Sequence, residues 1–177
     1  MSGFKISSSF KRVFTLPSGR EVEVSHTAID LPLWMGERPQ SDWNGKPIVG
    51  PPTRPFAELA ILESYEVEGW EGVWVSSSKT FRTSWEPRGY IELPEYVSKL
   101  YQELQQKSQQ RNGCWDVLCW RDGQIMFTES KWTIPKDSIQ KTQLVWLEAA
   151  LDIGISLDNF VVYECTPGPL LTTRITT

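Results

Sequence analysis

Residues 115–131 constrain the fold more than any other part of the sequence, because they predict two short apolar strands joined by a tight turn. Asp122 and Gly123 form an Asp-Gly pair between alternating runs, which is the strongest short-range signal of a β-hairpin. A two-residue turn at this pair sets the partners on the two strands: Arg121 with Gln124, Trp120 with Ile125, and Leu118 with Phe127. Such a connection has no room for a crossover helix, so the sheet is not a simple run of βαβ units.

One further step of the same pairing places Asp116 opposite Glu129, and Lys131 shares the face of Glu129 because it lies two residues further on. If the turn is longer, Asp116 meets Glu129 diagonally instead. Like charges directly opposite each other destabilise a sheet, and a divalent cation bound between them is one of the few ways to reverse that effect. The hairpin therefore predicts a cation site.

The rest of the chain predicts helices around this hairpin and a second hairpin near the N-terminus. The predicted elements are a hairpin at 10–24, a Pro- and Gly-rich loop at 37–55, a helix at 57–67 opened by Pro55, strands at 70–75 and 81–85, a helix at 94–110, a helix that runs from a capping box at Asp137–Gln140 to Asp152, and a strand at 160–163. This order predicts an α/β fold: a mixed β-sheet with a central hairpin flanked by helices, and an N-terminal β-hairpin extension.

Length and composition fit one domain. The 177 residues, 40% of them hydrophobic, predict a single domain in which residues 1–54 form an N-terminal extension packed on a core at 55–165, and residues 166–177 form a polar tail. No apolar run is long enough to span a bilayer, and the first residues contain no apolar signal segment. We therefore expect no membrane partner and a cytoplasmic location, in which the three cysteines are reduced.

Three motifs, in order along the chain, resemble the PD-(D/E)XK nuclease superfamily. Asn112–Asp116 is similar to the family's entry motif, although Trp115 stands where the family usually has proline. Glu129–Lys131 is similar to the family's Glu-x-Lys motif. Gln143–Leu147 looks like the Gln-bearing helix of the VRR-NUC branch. The resemblance covers residues 112–164.

This resemblance implies a restriction-endonuclease-like core and a metal-dependent nuclease that hydrolyses phosphodiester bonds of DNA. The implied ligands are the carboxylates of Asp116 and Glu129 and the backbone carbonyl of Ser130, and the implied metal is Mg²⁺ or Mn²⁺, which prefers such oxygen ligands. Lys131 would orient or deprotonate the attacking water, for which a nearby cation and partial burial would have to lower its pKa. Gln143 would bind the water, a phosphate or a ligand carboxylate. An exposed position on its helix is the alternative reading.

Nucleases of this superfamily often carry a further glutamate on the first core helix, and Glu58 is the candidate here as both a catalytic residue and a metal ligand. It shares a helical stripe with apolar residues. Glu63 is the competing candidate. A solvent-facing glutamate is the alternative reading at both positions.

The charged residues give evidence both against and for the binding of nucleic acid. The net charge of −4 counts against a large nucleic-acid surface, but a local basic cluster can still bind phosphates. The candidates for such a cluster are Lys5, Lys11, Arg12, Arg20, Arg54, Lys79, Arg82 and Arg88. Three tryptophans at loop or strand-end positions are candidates for stacking on bases: Trp34, Trp43 and Trp85. We expect DNA as the partner, with RNA as the alternative, and leave open a homodimer or a larger DNA-processing or phage-related complex.

Three other readings of the sequence remain. Lys131 could bridge the two carboxylates as a structural ion pair without metal. The chain could keep a nuclease fold but act as a catalytically silent adaptor that binds nucleic acid or protein. A cysteine-based enzyme would use Cys114 or Cys119, but the only histidine, His26, lies far away in the sequence.

Overall fold

The computed structural model of the chain describes residues 4–31, 57–77, 80–83, 90–134 and 136–167. Its elements in chain order are β1 (Lys5–Thr15), β2 (Glu21–Leu31), α1 (Ala57–Val67), β3 (Glu71–Ser77), β4 (Thr80–Arg82), α2 (Glu95–Ser108), β5 (Val117–Arg121), β6 (Gln124–Trp132), α3 (Lys141–Asp152) and β7 (Phe160–Pro167). The predictions that lie outside the described residues are those for the 37–55 loop, Pro55, Trp34, Trp43, Trp85, Arg54, Lys79, Arg88, the last two residues of the 81–85 strand and residues 168–177 of the tail.

The seven described strands form one mixed sheet in the order β1-β2-β7-β6-β5-β3-β4. Strand β7 runs parallel to both of its neighbours, β2 and β6, whereas the remaining neighbours are antiparallel. Helices α2 and α3 pack on one face of the sheet, and α1 packs on the other. The predicted α/β class, with a mixed sheet and a hairpin in its middle, is confirmed.

The β5–β6 hairpin has the register that the sequence predicts. Asp122 (φ 50°) and Gly123 (φ 77°) both adopt the left-handed backbone of a type I′ turn, which matches the twist of the flanking strands. The three predicted pairs are all present: Arg121 with Gln124, Trp120 with Ile125, and Leu118 with Phe127. Pairing continues only to Val117 and Thr128, so Asp116 lies just beyond the end of the ladder.

The N-terminal hairpin is longer than the predicted 10–24. β1 and β2 each span 11 residues, and β2 joins the sheet through parallel pairing with β7. The serine-rich part of β1 lacks the apolar alternation that marks a strand, which explains why the sequence pattern understates its length. Because this pairing runs to Leu31 and Pro167, β7 also extends beyond the predicted end at 163.

The third helix begins at Lys141, and its capping box consists of Gln140 and Gln143. The predicted box with Asp137 as the accepting residue is therefore wrong. The side-chain oxygen of Asp137 instead accepts a hydrogen bond from the adjacent N–H of Ser138 at 2.7 Å, outside the helix. The start of the helix at Lys141 matters for the site, because it makes Gln143 the third residue of the helix.

The core beneath α3 ends where the polar site begins. Phe127 on β6 and Phe160 on β7 stack with ring centroids 5.0 Å apart, and Trp115 packs edge-on against Phe160. The next residue of β6 on this face is Glu129, because side chains alternate along a strand. The carboxylate of Glu129 therefore lies directly next to this packed apolar layer.

Candidate active site

The candidate site lies where strands β5 and β6 separate, at a gap that we call the fork, which comprises Asp116 and residues 129–131. The carbonyl of Asp116 accepts a hydrogen bond from the N–H of Val75 at 2.8 Å, so the chain here follows β3. Strand β6 instead continues beside β7 as far as Trp132. The divergence leaves polar side chains of the two strands facing each other without a ladder between them.

Asp116 and residues 129–130 are joined by reciprocal hydrogen bonds. The N–H of Asp116 donates to Oε2 of Glu129 at 3.1 Å. The backbone N–H and the hydroxyl of Ser130 both donate to Oδ2 of Asp116, at 3.0 and 2.7 Å. These donors substitute for the missing ladder bonds, and they fix two carboxylates side by side at the end of the hairpin.

Glu129 is buried, with 1% of its surface exposed, and both of its oxygens are engaged. Oε1 accepts from Nε2 of Gln143 at 2.6 Å and lies 2.8 Å from Nζ of Lys131. Burial and the nearby Asp116 raise the pKa of Glu129 well above its ordinary value, although Lys131 and Gln143 partly oppose this. The carboxylate of Glu129 is therefore held in place, but its neighbours do not fully offset the cost of burying its negative charge.

Lys131 is the ammonium group of the site, and 10% of its side chain is exposed. Its Nζ also lies 3.5 Å from Oδ2 of Asp137. Burial lowers the pKa of Lys131, but Glu129, Asp116 and Asp137 together outweigh it, so the net shift is upward. The groups of the protein thus keep Lys131 protonated, and the lowered pKa that a catalytic base requires does not come from them.

Glu58 on α1 belongs to the same cluster, although it approaches from the other face of the sheet. Burial and the charge of Asp116 raise its pKa to about 7, while Lys131 and the hydroxyl of Ser130 act in the opposite direction. Glu63, the competing candidate, is exposed. The structure therefore brings Glu58, and not Glu63, to the fork.

Gln143 faces inward from α3 and serves two neighbours. Its Oε1 accepts from the N–H of Gln140 at 2.8 Å, which caps the helix, and its Nε2 donates to Glu129. Because the amide oxygen is fixed by the cap, the amide nitrogen is directed at the carboxylate. The alternative reading of an exposed helical glutamine is wrong, since the residue is 8% exposed.

Two indole groups and one glycine hold the loop before Asp116 against α3. Nε1 of Trp115 donates to the carbonyl of Gln143 at 3.3 Å, and Nε1 of Trp146 donates to the carbonyl of Asn112 at 3.0 Å. Gly113, at φ 98°, lies so close to α3 that a Cβ there would be 2.7 Å from Cβ of Thr142. The sequence indicates a family-like entry motif at Asn112–Asp116, but no local pattern in it indicates these contacts with α3.

The donor set of the fork is chemically suited to a hard cation, because it consists of carboxylate and carbonyl oxygens. Three carboxyl groups, those of Glu58, Asp116 and Glu129, are offset by the single ammonium of Lys131. Their arrangement is nonetheless not that of a ready-made metal site. Within the described part of the chain, no three His, Cys, Asp or Glu side chains are placed so that they could hold a metal ion.

The cysteines and the histidine do not form a second site. All three cysteines are free, and burial raises the pKa of Cys114 well above its ordinary value and that of Cys119 to about 12. His26 lies on β2, where its Nδ1 is 3.1 Å from Glu164. Neither thiol is therefore activated as a nucleophile.

Comparison with family models, with curated proteins and with solved structures finds no match to this chain. Among the described residues, no helix has the length and apolar character needed to cross a membrane.

Proposed function

We propose that the chain is a metal-dependent nuclease that hydrolyses phosphodiester bonds of DNA, with Mg²⁺ or Mn²⁺ as cofactor and a restriction-endonuclease-like core. One observation carries the proposal: three carboxyl groups share a single ammonium in a largely buried fork. Buried carboxylates in such excess are unfavourable, as the raised pKa values of Glu58 and Glu129 indicate, and either protonation or a bound cation offsets their charge; we propose the cation.

Each residue of the fork has a role in this proposal. Asp116, Glu129, the backbone carbonyl of Ser130 and Glu58 would hold the metal. When bound, it would lower the pKa of a coordinated water and offset charge on the phosphate. Gln143 positions Glu129 through the 2.6 Å hydrogen bond and does not itself bind metal.

Lys131 would stabilise the charge that develops on the phosphate during attack. Because its pKa is raised, it donates hydrogen bonds as an ammonium group, and electrostatic stabilisation of this kind is a large term in phosphoryl chemistry. Its position 2.8 Å from Glu129 places that charge beside the proposed metal ligands.

The experiment is a cleavage assay on plasmid and oligonucleotide DNA with Mg²⁺ or Mn²⁺. Asp116→Ala, Glu129→Ala and Lys131→Ala should each abolish cleavage, and Glu58→Ala should reduce it at least tenfold, a range typical of lost positioning. Glu63→Ala is the matched control, because it removes the exposed glutamate of the same helix and should leave the rate unchanged. Urea unfolding of each variant establishes that it remains folded. Full activity in any of the three alanine variants would refute the proposal.

A catalytically silent adaptor is the second candidate, and a specific observation favours it. Both oxygens of Glu129 already accept protein donors, and the described residues contain no set of three metal-ligating side chains. Calorimetric titration with Mn²⁺ separates the two candidates. The nuclease binds the ion and loses this binding in Glu129→Ala, whereas the adaptor shows no heat and no cleavage while it still binds its partner.

A further inference from the structure

Strand β1 carries an unusual set of side chains for a chain with a net charge of −4. It contains three cationic residues, Lys5, Lys11 and Arg12, and no carboxylate. It also exposes Phe10, of which 37% is accessible. Exposed aromatic rings interleaved with basic side chains are the features that bind single-stranded nucleic acid.

A β-bulge decides which of these residues share a face. Lys5 is opposite Asp30, and Phe10 is opposite His26, although five residues separate them on β1 and four on β2. The extra residue lies between Ile6 and Ser8, where the register shifts. The bulge restores alternation, so that Lys5 lies on the same face as Phe10 and Arg12, whereas Lys11 lies on the opposite face.

This face is also the face of the fork. Glu129 pairs with Val162, Val162 with His26, and His26 with Phe10, so these four residues form one row across four neighbouring strands. Three interstrand spacings separate Phe10 from Glu129, a distance of about 14 Å. At about 3.4 Å for each stacked nucleotide, this distance corresponds to roughly four nucleotides.

Two further acidic side chains lie on this face, and both have partners. Asp30, opposite Lys5, accepts a hydrogen bond from the hydroxyl of Ser7 at 2.9 Å. Glu164 on β7 lies 2.7 Å from Arg12 and 3.1 Å from His26. Arg12 also lies over the ring of Phe10, with its guanidinium carbon 5.3 Å from the centroid, and about half of its side chain remains exposed. The negative charge of Glu164, which lies between the fork and β1, is therefore offset by its neighbours and does not repel a bound polyanion.

We infer that the β1 face formed by Lys5, Phe10 and Arg12 binds a single-stranded segment of the nucleic acid whose cleavage site lies at the fork. Phe10 stacks on an unpaired base, and the two cations contact phosphates. This inference rests on the proposed function and deepens it, because a base can stack on Phe10 only where the substrate is unpaired. The preferred substrate is then a strand with a single-stranded flank and not a continuous duplex.

The test is fluorescence anisotropy with a labelled oligothymidylate in the presence of EDTA, so that binding is measured without cleavage. Phe10→Ala should weaken binding roughly tenfold, which is the effect of losing one base stack. One side of the Phe10 ring stacks on His26, with centroids 5.4 Å apart, so Phe10→Leu should weaken binding similarly while an apolar side chain still covers His26. Lys5→Ala should weaken binding and reduce the salt dependence by about one ion.

Two matched controls lie on the opposite face of the same strand. Lys11→Ala removes an equal charge, and Val13→Ala removes an exposed apolar side chain, so both should leave affinity within about twofold. Equal losses in Lys11→Ala and Lys5→Ala would overturn the inference in favour of unspecific attraction. Unchanged oligonucleotide affinity in Phe10→Ala, with dissociation of a dimer in light scattering, would overturn it in favour of an interface between two copies.

Failure here is distinguishable from failure of the proposed function. The binding experiment contains no metal and depends on β1, whereas cleavage depends on Asp116 and Lys131. Cleavage that persists while Phe10 has no effect on binding overturns only this inference. Binding that follows the predicted pattern without any cleavage overturns only the nuclease.

Discussion

Gly113 is the position where a single methyl group should reveal how closely the loop before Asp116 approaches α3. Its backbone lies at φ 98°, and an added Cβ would be 2.7 Å from Cβ of Thr142 and 3.0 Å from the backbone carbon and oxygen of that residue. The position of Cβ is set by the backbone, so none of these contacts can give way by side-chain rotation, and the loop or the helix must move. Gly113→Ala should therefore displace the loop that carries Asp116.

The cost can be worked out from two contributions. A left-handed backbone costs a non-glycine residue about 1–2 kcal/mol, and overpacking of a close contact costs about 1–3 kcal/mol. Gly113→Ala should thus lower the free energy of unfolding by about 2–5 kcal/mol. Gly123→Ala is the matched control, because Gly123 has φ 77° but no atom within 4 Å of its added Cβ, so only the backbone cost of about 1–2 kcal/mol applies.

Urea unfolding followed by tryptophan fluorescence measures both variants. The difference between them isolates the contact with Thr142 and should be about 1–3 kcal/mol. DNA cleavage should fall in Gly113→Ala and remain unchanged in Gly123→Ala, since only the first variant moves Asp116 relative to Glu129. Equal destabilisation of the two variants would refute the reasoning, because it would show that the loop accepts a Cβ at residue 113 without a clash with Thr142.

Three further perturbations test other contacts. Trp115→Phe removes the indole donor to the carbonyl of Gln143, and urea unfolding should show a loss of about 1–3 kcal/mol. Lys131→Met leaves Glu129 buried without its cation, which should cost about 3 kcal/mol near pH 8 and less near pH 5, where protonation of Glu129 removes the charge. Burial lowers the pKa of His26, so the folded state resists its protonation. Stability should therefore fall as the pH drops below about 6.5, and His26→Gln should flatten this dependence in urea titrations at several pH values.

The hairpin register could be predicted because it is set locally. Asp122 and Gly123 determine the turn, and a two-residue turn leaves one possible pairing for the adjacent residues. The end of the ladder could not be predicted, because it depends on a hydrogen bond from Val75, which lies 41 residues before Asp116 in the chain. Thus the sequence indicates that Asp116 and Glu129 are neighbours, whereas their reciprocal backbone contacts follow from the position of a third strand.

The helical residues show the same division between local and distant causes. The stripes that contain Glu58 and Gln143 correctly indicate which helix face is buried. No local pattern, however, shows that α1 and α3 lie on opposite faces of the sheet and reach the same gap. The sequence pattern places the capping box three residues too early, because Asp137 is a strong cap by residue type and Gln140 is not.

Glu129 Oε1 is where the two candidate functions diverge. This single oxygen accepts from Gln143 at 2.6 Å and faces Lys131 at 2.8 Å, so a cation that binds it must compete with at least one of them. Gln143 is fixed by its second hydrogen bond to the helix cap, whereas Lys131 has a long side chain and a weaker alternative partner, Asp137, at 3.5 Å. We therefore expect Lys131 to be the group displaced. A displaced Lys131 would give up its contact with Glu129, and its ammonium group could then donate to the phosphate, which is the role proposed for it. In an adaptor no such displacement occurs, and the ion pair remains a permanent structural contact.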